Sequence, residues 1–276
     1  NKRKYILVTA RIHPGESNGS YIMHGFMDYL LSGCSEAKYL LDRYIFKIIP
    51  MMNIDGVIEG FYRISLSGND LNRIWTEPDT TLHPVICKAK ELFEKLTKGG
   101  RVAMYQDFHG HARLHGTFIF GCPNNDDASL KDKEKNFPRI FSFLSDAFAW
   151  QNCDFSFPKD RKSAARIVVR TEMDVVQSFT IETSFGGLTS GPRAGTLYDE
   201  ISWKELGEKC CEATYHYLCG EDSPLTSYVA KELNFLSPVD PPKTKSEWAP
   251  KATLPQDDDS KQIYVPPPVG IKRNQG

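Results

Sequence analysis

The chain lacks any apolar run approaching the roughly 20 residues needed to span a bilayer. Its opening Asn1-Lys2-Arg3-Lys4 leads into a strand-like Tyr5-Ile6-Leu7-Val8 rather than a signal-peptide core, so neither a membrane span nor secretion is expected. It lacks a charge excess of either sign: 34 Lys and Arg stand against 35 Asp and Glu, a formal net charge of -1. No global field draws it to nucleic acid or to an anionic membrane, and electrostatic selectivity must be local. It also lacks CxxC pairs. The seven cysteines (Cys34, Cys87, Cys122, Cys153, Cys210, Cys211, Cys219) are an odd number, which fits reduced, buried thiols in a cytosolic protein better than a disulfide framework or a structural zinc cluster. No internal repeat is visible.

What is present is an ordinary globular composition, 40% hydrophobic and 25% charged over 276 residues, enough for a sizeable core. Apolar runs of strand character alternate with segments of helical period, which reads as α/β. Strands are expected at 5–10, 44–51, 102–108, 117–120, 166–170 and 178–181. Helices are expected near 17–31, 35–41, 82–98, 137–148, 203–217 and 225–233. After Leu236 the composition shifts: the last 40 residues carry eight of the 17 prolines and the acidic Asp257-Asp258-Asp259. Such a stretch cannot bury enough apolar surface to offset chain entropy. The expected division is a catalytic domain over 1–236 and an extended or disordered proline-rich tail over 237–276. Because the first strand starts almost at the N-terminus and runs straight into the richest motif, the chain is expected to be truncated there.

That motif is His13-Pro14-Gly15-Glu16, at a strand-to-helix turn. A turn escapes the alternation that would splay strand neighbours apart, so a His and a carboxylate three apart can face one ion. Alone the pattern is common, since Glu16 would equally suit a helix N-terminus. A third ligand is available at another strand end, in Asp107-Phe108-His109-Gly110-His111, where His109 or His111 can serve and Asp107 can accept from the other ring nitrogen. Two His and one Glu leave a zinc with an open position, the pattern of a catalytic ion. Glu182, ending the apolar run Ser178-Phe179-Thr180-Ile181, is the best-placed carboxylate to act as base. Between these stretches a polar loop holds Arg63, Asn72 and Arg73, side chains suited to a carboxylate ligand but equally at home on a solvated surface.

In order, six stretches resemble the zinc carboxypeptidase superfamily, and within it the cytosolic carboxypeptidases that trim glutamates from tubulin and other proteins. They are His13-Pro14-Gly15-Glu16-Ser17-Asn18-Gly19, the segment from Pro50 to Val57, the segment from Tyr62 to Trp75, Asp107-Phe108-His109-Gly110-His111-Ala112, Phe118-Ile119-Phe120-Gly121-Cys122 and Phe179-Thr180-Ile181-Glu182. The resemblance covers about residues 4–219.

The resemblance implies an α/β/α sandwich with a mixed, mainly eight-stranded sheet, and one Zn2+ ion. By it, His13, Glu16 and His109 ligate the metal, Glu182 is the general base and Arg63 polarises the scissile carbonyl. Asn72 and Arg73 hold the terminal carboxylate of the substrate. For a terminal glutamate the side-chain pocket needs a buried cation. Arg166, opening the valine-rich Arg166-Ile167-Val168-Val169 that resembles a strand of this branch, takes that place, with Arg170 as competitor. The segment 152–163 offers no tyrosine matching the mobile phenol of secreted relatives. The implied substrates are C-terminal acidic protein tails, tubulin among them, met in the cytoplasm and at the cytoskeleton, with no nucleic acid or membrane partner. Two alternatives stand beside this reading: a zinc amidase or deacylase acting on a small acidic molecule, and a catalytically silent partner-binding module.

Overall fold

Three apolar runs become the parallel centre of one sheet: β1 (Lys4–Ala10), β3 (Val102–His111) and β5 (Ser178–Ser184). Each is rich in β-branched and aromatic residues and almost wholly buried, as a strand covered on both faces must be. β2 (Tyr44–Ile49) pairs with β1 on one side, and β4 (Thr117–Phe120) runs antiparallel to β5 at the other edge. The order is β2-β1-β3-β5-β4. The computed structural model describes residues 3–124, 129–189 and 191–234. The expected division at residue 236 and the proline-rich tail over 237–276 lie outside the described residues.

Alternation along the strands sends side chains to two layers. On one face Phe46 and Phe108 meet Phe26 of α1 (Asn18–Leu31), with ring centroids 6.1 and 5.8 Å apart. Helix α2 (Ser35–Arg43) leads from α1 into β2. On the other face Leu7 and Tyr105 join Trp75 and Phe93, the latter on α4 (Pro84–Thr97), in one cluster. Short α3 (Ile54–Ile58) follows β2 and lies near the site. Helices α5 (Asn136–Leu144), α7 (Glu200–Cys219) and α8 (Pro224–Asn234) complete the first layer, where α7 packs along α1. The α/β class is as expected, with five strands among the described residues instead of eight.

One expected strand is a helix. Residues 166–170 lie in α6 (Ala165–Thr171), despite their Ile and Val content. Ala165, Val168 and Val169 all enter the Trp75–Phe93 cluster, and that i, i+3, i+4 spacing is met only by a helical turn. Tertiary burial thus overrides β propensity. The helix lacks a side-chain cap of its own, and Asn72 supplies one from a distance, its Oδ1 accepting from Ala165 N at 2.8 Å.

Candidate active site

Because β1, β3 and β5 are parallel, their C-terminal ends lie along one rim of the sheet. After Ala10 the chain leaves the sheet through Arg11, held at φ 57°. The Arg11 guanidinium turns back to donate to Pro14 O (3.0 and 2.8 Å) and to Ser20 Oγ (2.7 Å), clamping the turn that carries His13 and Glu16. Gly15 N donates to Tyr62 O at 2.7 Å, and a Cβ at Gly15 would strike the Tyr62 ring, so only glycine lets the 62–73 loop dock here. Asn53 binds the same two pieces together by donating to Ile12 O and Ile64 O at 3.3 and 3.2 Å.

The structure brings His13, Glu16 and His109 together, all buried. His13 Nδ1 lies 2.7 Å from Glu16 Oε1, while His109 Nδ1 lies 2.9 Å from Glu16 Oε2 and 3.1 Å from His13 Nδ1. The outer ring nitrogens face carboxylates: His109 Nε2 is 2.7 Å from Asp107 Oδ2, and His13 Nε2 is 3.0 Å from Asp70 Oδ1. A carboxylate only accepts, so the Nε2–H groups donate outward to Asp107 and Asp70, while each Nδ1 turns inward to the Glu16 carboxylate. A proton on Nδ1 holds these groups together when no metal ion is bound, and a metal cation would take its place. The donor set, two His and one Glu with carboxylates behind the rings, is that of a catalytic zinc site, and these residues fit the ion. Among the described residues it is the one group of three or more metal-type ligands within 4.8 Å of one another.

Electrostatics follow the same geometry. Burial alone would raise the Glu16 carboxyl, but the charges and hydrogen bonds of His109 and His13 outweigh it and hold Glu16 well below the usual carboxylate range. Burial would lower His109, and Asp107 and Glu16 instead raise it. Asp107 is fixed by Thr9 Oγ1, which donates to Oδ1 at 2.6 Å. Gly110 N donates to Glu16 Oε2 at 3.0 Å, and a Cβ there would collide with Asn18 and the Phe185 ring, which explains glycine between His109 and His111. His111 is not in the ligand cluster and packs edge-on against Phe118.

Glu182 sits opposite His109 in the β3–β5 register. Its carboxyl is raised to about 7, chiefly by burial and further by Glu16 and Asp107, against the lowering effect of His109 and His13. Among the described residues it accepts no hydrogen bond that would stabilise its ionised form. Arg63 Nε donates to Asp70 Oδ2 at 2.9 Å, and its Nη1 stands 3.8 Å from Glu16 Oε1. Asn72 and Arg73 line the same cavity of about 290 Å3, together with Tyr62 and the site residues above. Arg166 lies in its wall, 3% exposed, donating to Gly121 O at 3.3 Å and set 5.7 Å from the Phe120 ring centroid. Arg170, one turn on, points elsewhere, to Asn124 Oδ1 at 3.0 Å and Asp174 Oδ1 at 3.1 Å.

Sequence reasoning assigned no role to three residues that the structure places here. Asp70 joins His13, Arg63 and Asn72, the last through an Asn72 N donation at 2.8 Å. Its position two before Asn72, ready for an Asx turn, was the available signal. Arg161, from the segment without a phenol, and Arg113 also line the cavity. In sequence both read as solvated surface charges.

Residues 1–147 match the zinc carboxypeptidase family, and the chain belongs to that family. It is similar to cytosolic carboxypeptidase 2 of Danio rerio, 37% identical over 235 residues that make up 85% of this chain and 32% of that protein. To cytosolic carboxypeptidase 1 of Homo sapiens it is 40% identical over 222 residues, 76% of this chain and 18% of that protein. The chain thus spans less than a third of the length of these curated relatives. Among solved structures, a metallo-carboxypeptidase from Pseudomonas aeruginosa in complex with (2-guanidinoethylmercapto)succinic acid superposes with a TM-score of 0.70 at 25% identity, over 79% of this chain and 58% of that one. One from Burkholderia cenocepacia shares the fold at a TM-score of 0.70 and 24% identity, over 79% and 57% of the two chains. The metal of the family is zinc, and no helix among the described residues is long and apolar enough to cross a membrane.

Proposed function

We propose that this protein is a zinc-dependent carboxypeptidase that releases glutamate from acidic C-terminal protein tails such as those of tubulin, in the cytoplasm and at the cytoskeleton. The observation that carries the reading is one cavity in which the His13–Glu16–His109 cluster, the buried and unneutralised Glu182, and Asn72, Arg73 and Arg166 all meet. His13, Glu16 and His109 would hold zinc, which when bound supplies Lewis acidity at the point where they converge.

The remaining roles belong to side chains. Glu182 takes the proton of the attacking water and returns it to the leaving amine, a task suited to a carboxyl raised towards neutrality. Arg63, half exposed and oriented by Asp70, faces the oxyanion that develops on the scissile carbonyl. Asn72 and Arg73 bind the terminal α-carboxylate, which restricts cleavage to the last residue. Arg166 binds the side-chain carboxylate of that residue, because a guanidinium so buried without a carboxylate partner among the described residues suits an incoming anion. The names of the cytosolic relatives support the compartment.

The test is mass spectrometry of peptides ending in Glu, Asp, Leu and Lys after incubation with zinc-loaded protein, with Glu182→Gln as control. Loss of one terminal Glu, blocked by a chelator and by the substitution, is expected. An amidase or deacylase would leave all four peptides intact, as would a silent binding module.

A further inference from the structure

From Ile6 to Ala10, β1 carries a single polar side chain, Thr9, and it is buried. A buried hydroxyl costs free energy unless it is hydrogen-bonded. Thr9 is bonded on two sides: its Oγ1 donates to Asp107 Oδ1 at 2.6 Å and lies 3.0 Å from Tyr105 Oη. The register explains the meeting. Thr9 is paired with Asp107 across β1 and β3, and Tyr105, two residues earlier on β3, projects from the same face. An ionised carboxylate only accepts, so the Thr9 proton goes to Asp107 and Tyr105 is the donor to Thr9. Burial and the Asp107 charge raise the Tyr105 phenol well above its usual value, which keeps that proton in place.

One end of this chain of hydrogen bonds is the His109 ring, whose Nε2–H donates to Asp107 Oδ2 at 2.7 Å. The other end is the core. Tyr105 is fully buried and packs edge-on against Phe93, with ring centroids 5.6 Å apart. The ring of His13 is held differently, since Asp70 behind it is partly exposed and also holds the half-exposed Arg63 on the cavity loop. One imidazole is thus tied to a loop and the other to packed strands.

We propose that Thr9 and Tyr105 are positioning residues for the metal centre: they fix the Asp107 carboxylate and, through it, the His109 ring, so that Nδ1 already faces Glu16 before an ion binds and a bound ion is released slowly. Groups behind a ligand set its orientation in this way. The inference rests on the reading of His109 as a ligand.

The experiment compares the zinc-loaded chain with Thr9→Val, which keeps the branched shape and removes only the hydroxyl, and with Thr9→Ser, which restores it. Three quantities are read on each: zinc release to a chelator, the melting temperature of the metal-free protein, and the downfield imidazole N–H proton resonance that His109→Ala lacks. We expect Thr9→Val to release zinc about tenfold faster with that resonance displaced, and Thr9→Ser to stay within about twofold of the parent. Tyr105→Phe leaves the Thr9 donation intact, so a smaller acceleration of about threefold is expected, and it carries the test should Thr9→Val not fold. Unchanged zinc release and an unchanged resonance in Thr9→Val, or in Tyr105→Phe if only that variant folds, would overturn the inference, even with a lowered melting temperature, and would leave the ligand assignment standing. Zinc held as tightly by His109→Ala as by the parent would overturn the ligand assignment and this inference with it.

Discussion

His109 and Glu182 are partners in the register of two adjacent parallel strands, which sets a metal-type ligand and an unneutralised carboxylate on the same rim of the sheet. The pairing fixes the spacing of His109 and Glu182 by backbone hydrogen bonding, not by a loop. Glu182→Gln should therefore remove the proton acceptor without disturbing His13, Glu16 or His109. The expected result is a kcat lower by about 10²- to 10⁴-fold with unchanged zinc content, read by peptide turnover and metal analysis of the same sample. Loss of zinc in that variant would show Glu182 to be part of the metal cluster.

The pH profile follows from the same carboxyl. Its proton is held up to about 7 in the metal-free protein, mainly by burial. A base acts only when ionised, so kcat/KM must rise with pH through the midpoint of this carboxyl in the zinc-loaded enzyme and fall on its acid side. The positive charge of a bound ion moves the limb downward, so the expected midpoint lies between the ordinary carboxylate value of about 4.3 and about 7. A profile flat down to pH 4 would contradict the role of Glu182.

Asp70 joins His13, Arg63 and Asn72, the residues proposed here as metal ligand, oxyanion group and carboxylate-binding turn. Asp70→Asn should weaken zinc binding by about 10- to 100-fold, measured by competition with a chelator, and should also lower kcat/KM at saturating zinc because Arg63 loses its anchor. Asp107→Asn touches only the His109 side among the ligands, through the 2.7 Å contact. It should weaken zinc comparably while sparing activity once zinc is saturating.

For selectivity, Arg166→Ala should abolish the preference for terminal glutamate over leucine, whereas Arg170→Ala should keep it, because Arg170 is committed to Asn124 and Asp174. The ratio of glutamate to leucine release is the readout. An unchanged ratio in Arg166→Ala would remove Arg166 from the pocket role.

How much of this could be read from the sequence depends on the range of the forces involved. The parallel strands were legible because β1, β3 and β5 are buried on both faces and so are nearly continuous apolar runs. His13, Glu16 and a histidine at the end of β3 were legible as candidate ligands because the His13–Glu16 turn and the strand end are local motifs, whereas the choice of His109 over His111 came from the family resemblance. Where tertiary contacts decide, the reading failed. Arg166-Ile167-Val168-Val169 has strand composition, yet the Trp75–Phe93 cluster selects the helix. The 44–51 strand stops at Ile49, since Pro50 cannot donate to a ladder. The helix expected over 137–148 stops at Leu144, after which Ser145 turns extended and the chain crosses to bridge Thr117 with Phe148. Asp70 was hidden because its His13 partner is 57 residues away, and Arg161 because it meets the other lining residues only across the cavity.

The most direct test of the central claim is zinc stoichiometry measured alongside glutamate release, on the intact chain and on His13→Ala and His109→Ala. We expect about one zinc per chain in the parent protein, with both the tightly held metal and the activity lost in each variant. A full complement of zinc in His109→Ala, or glutamate release by metal-free protein, would contradict the account.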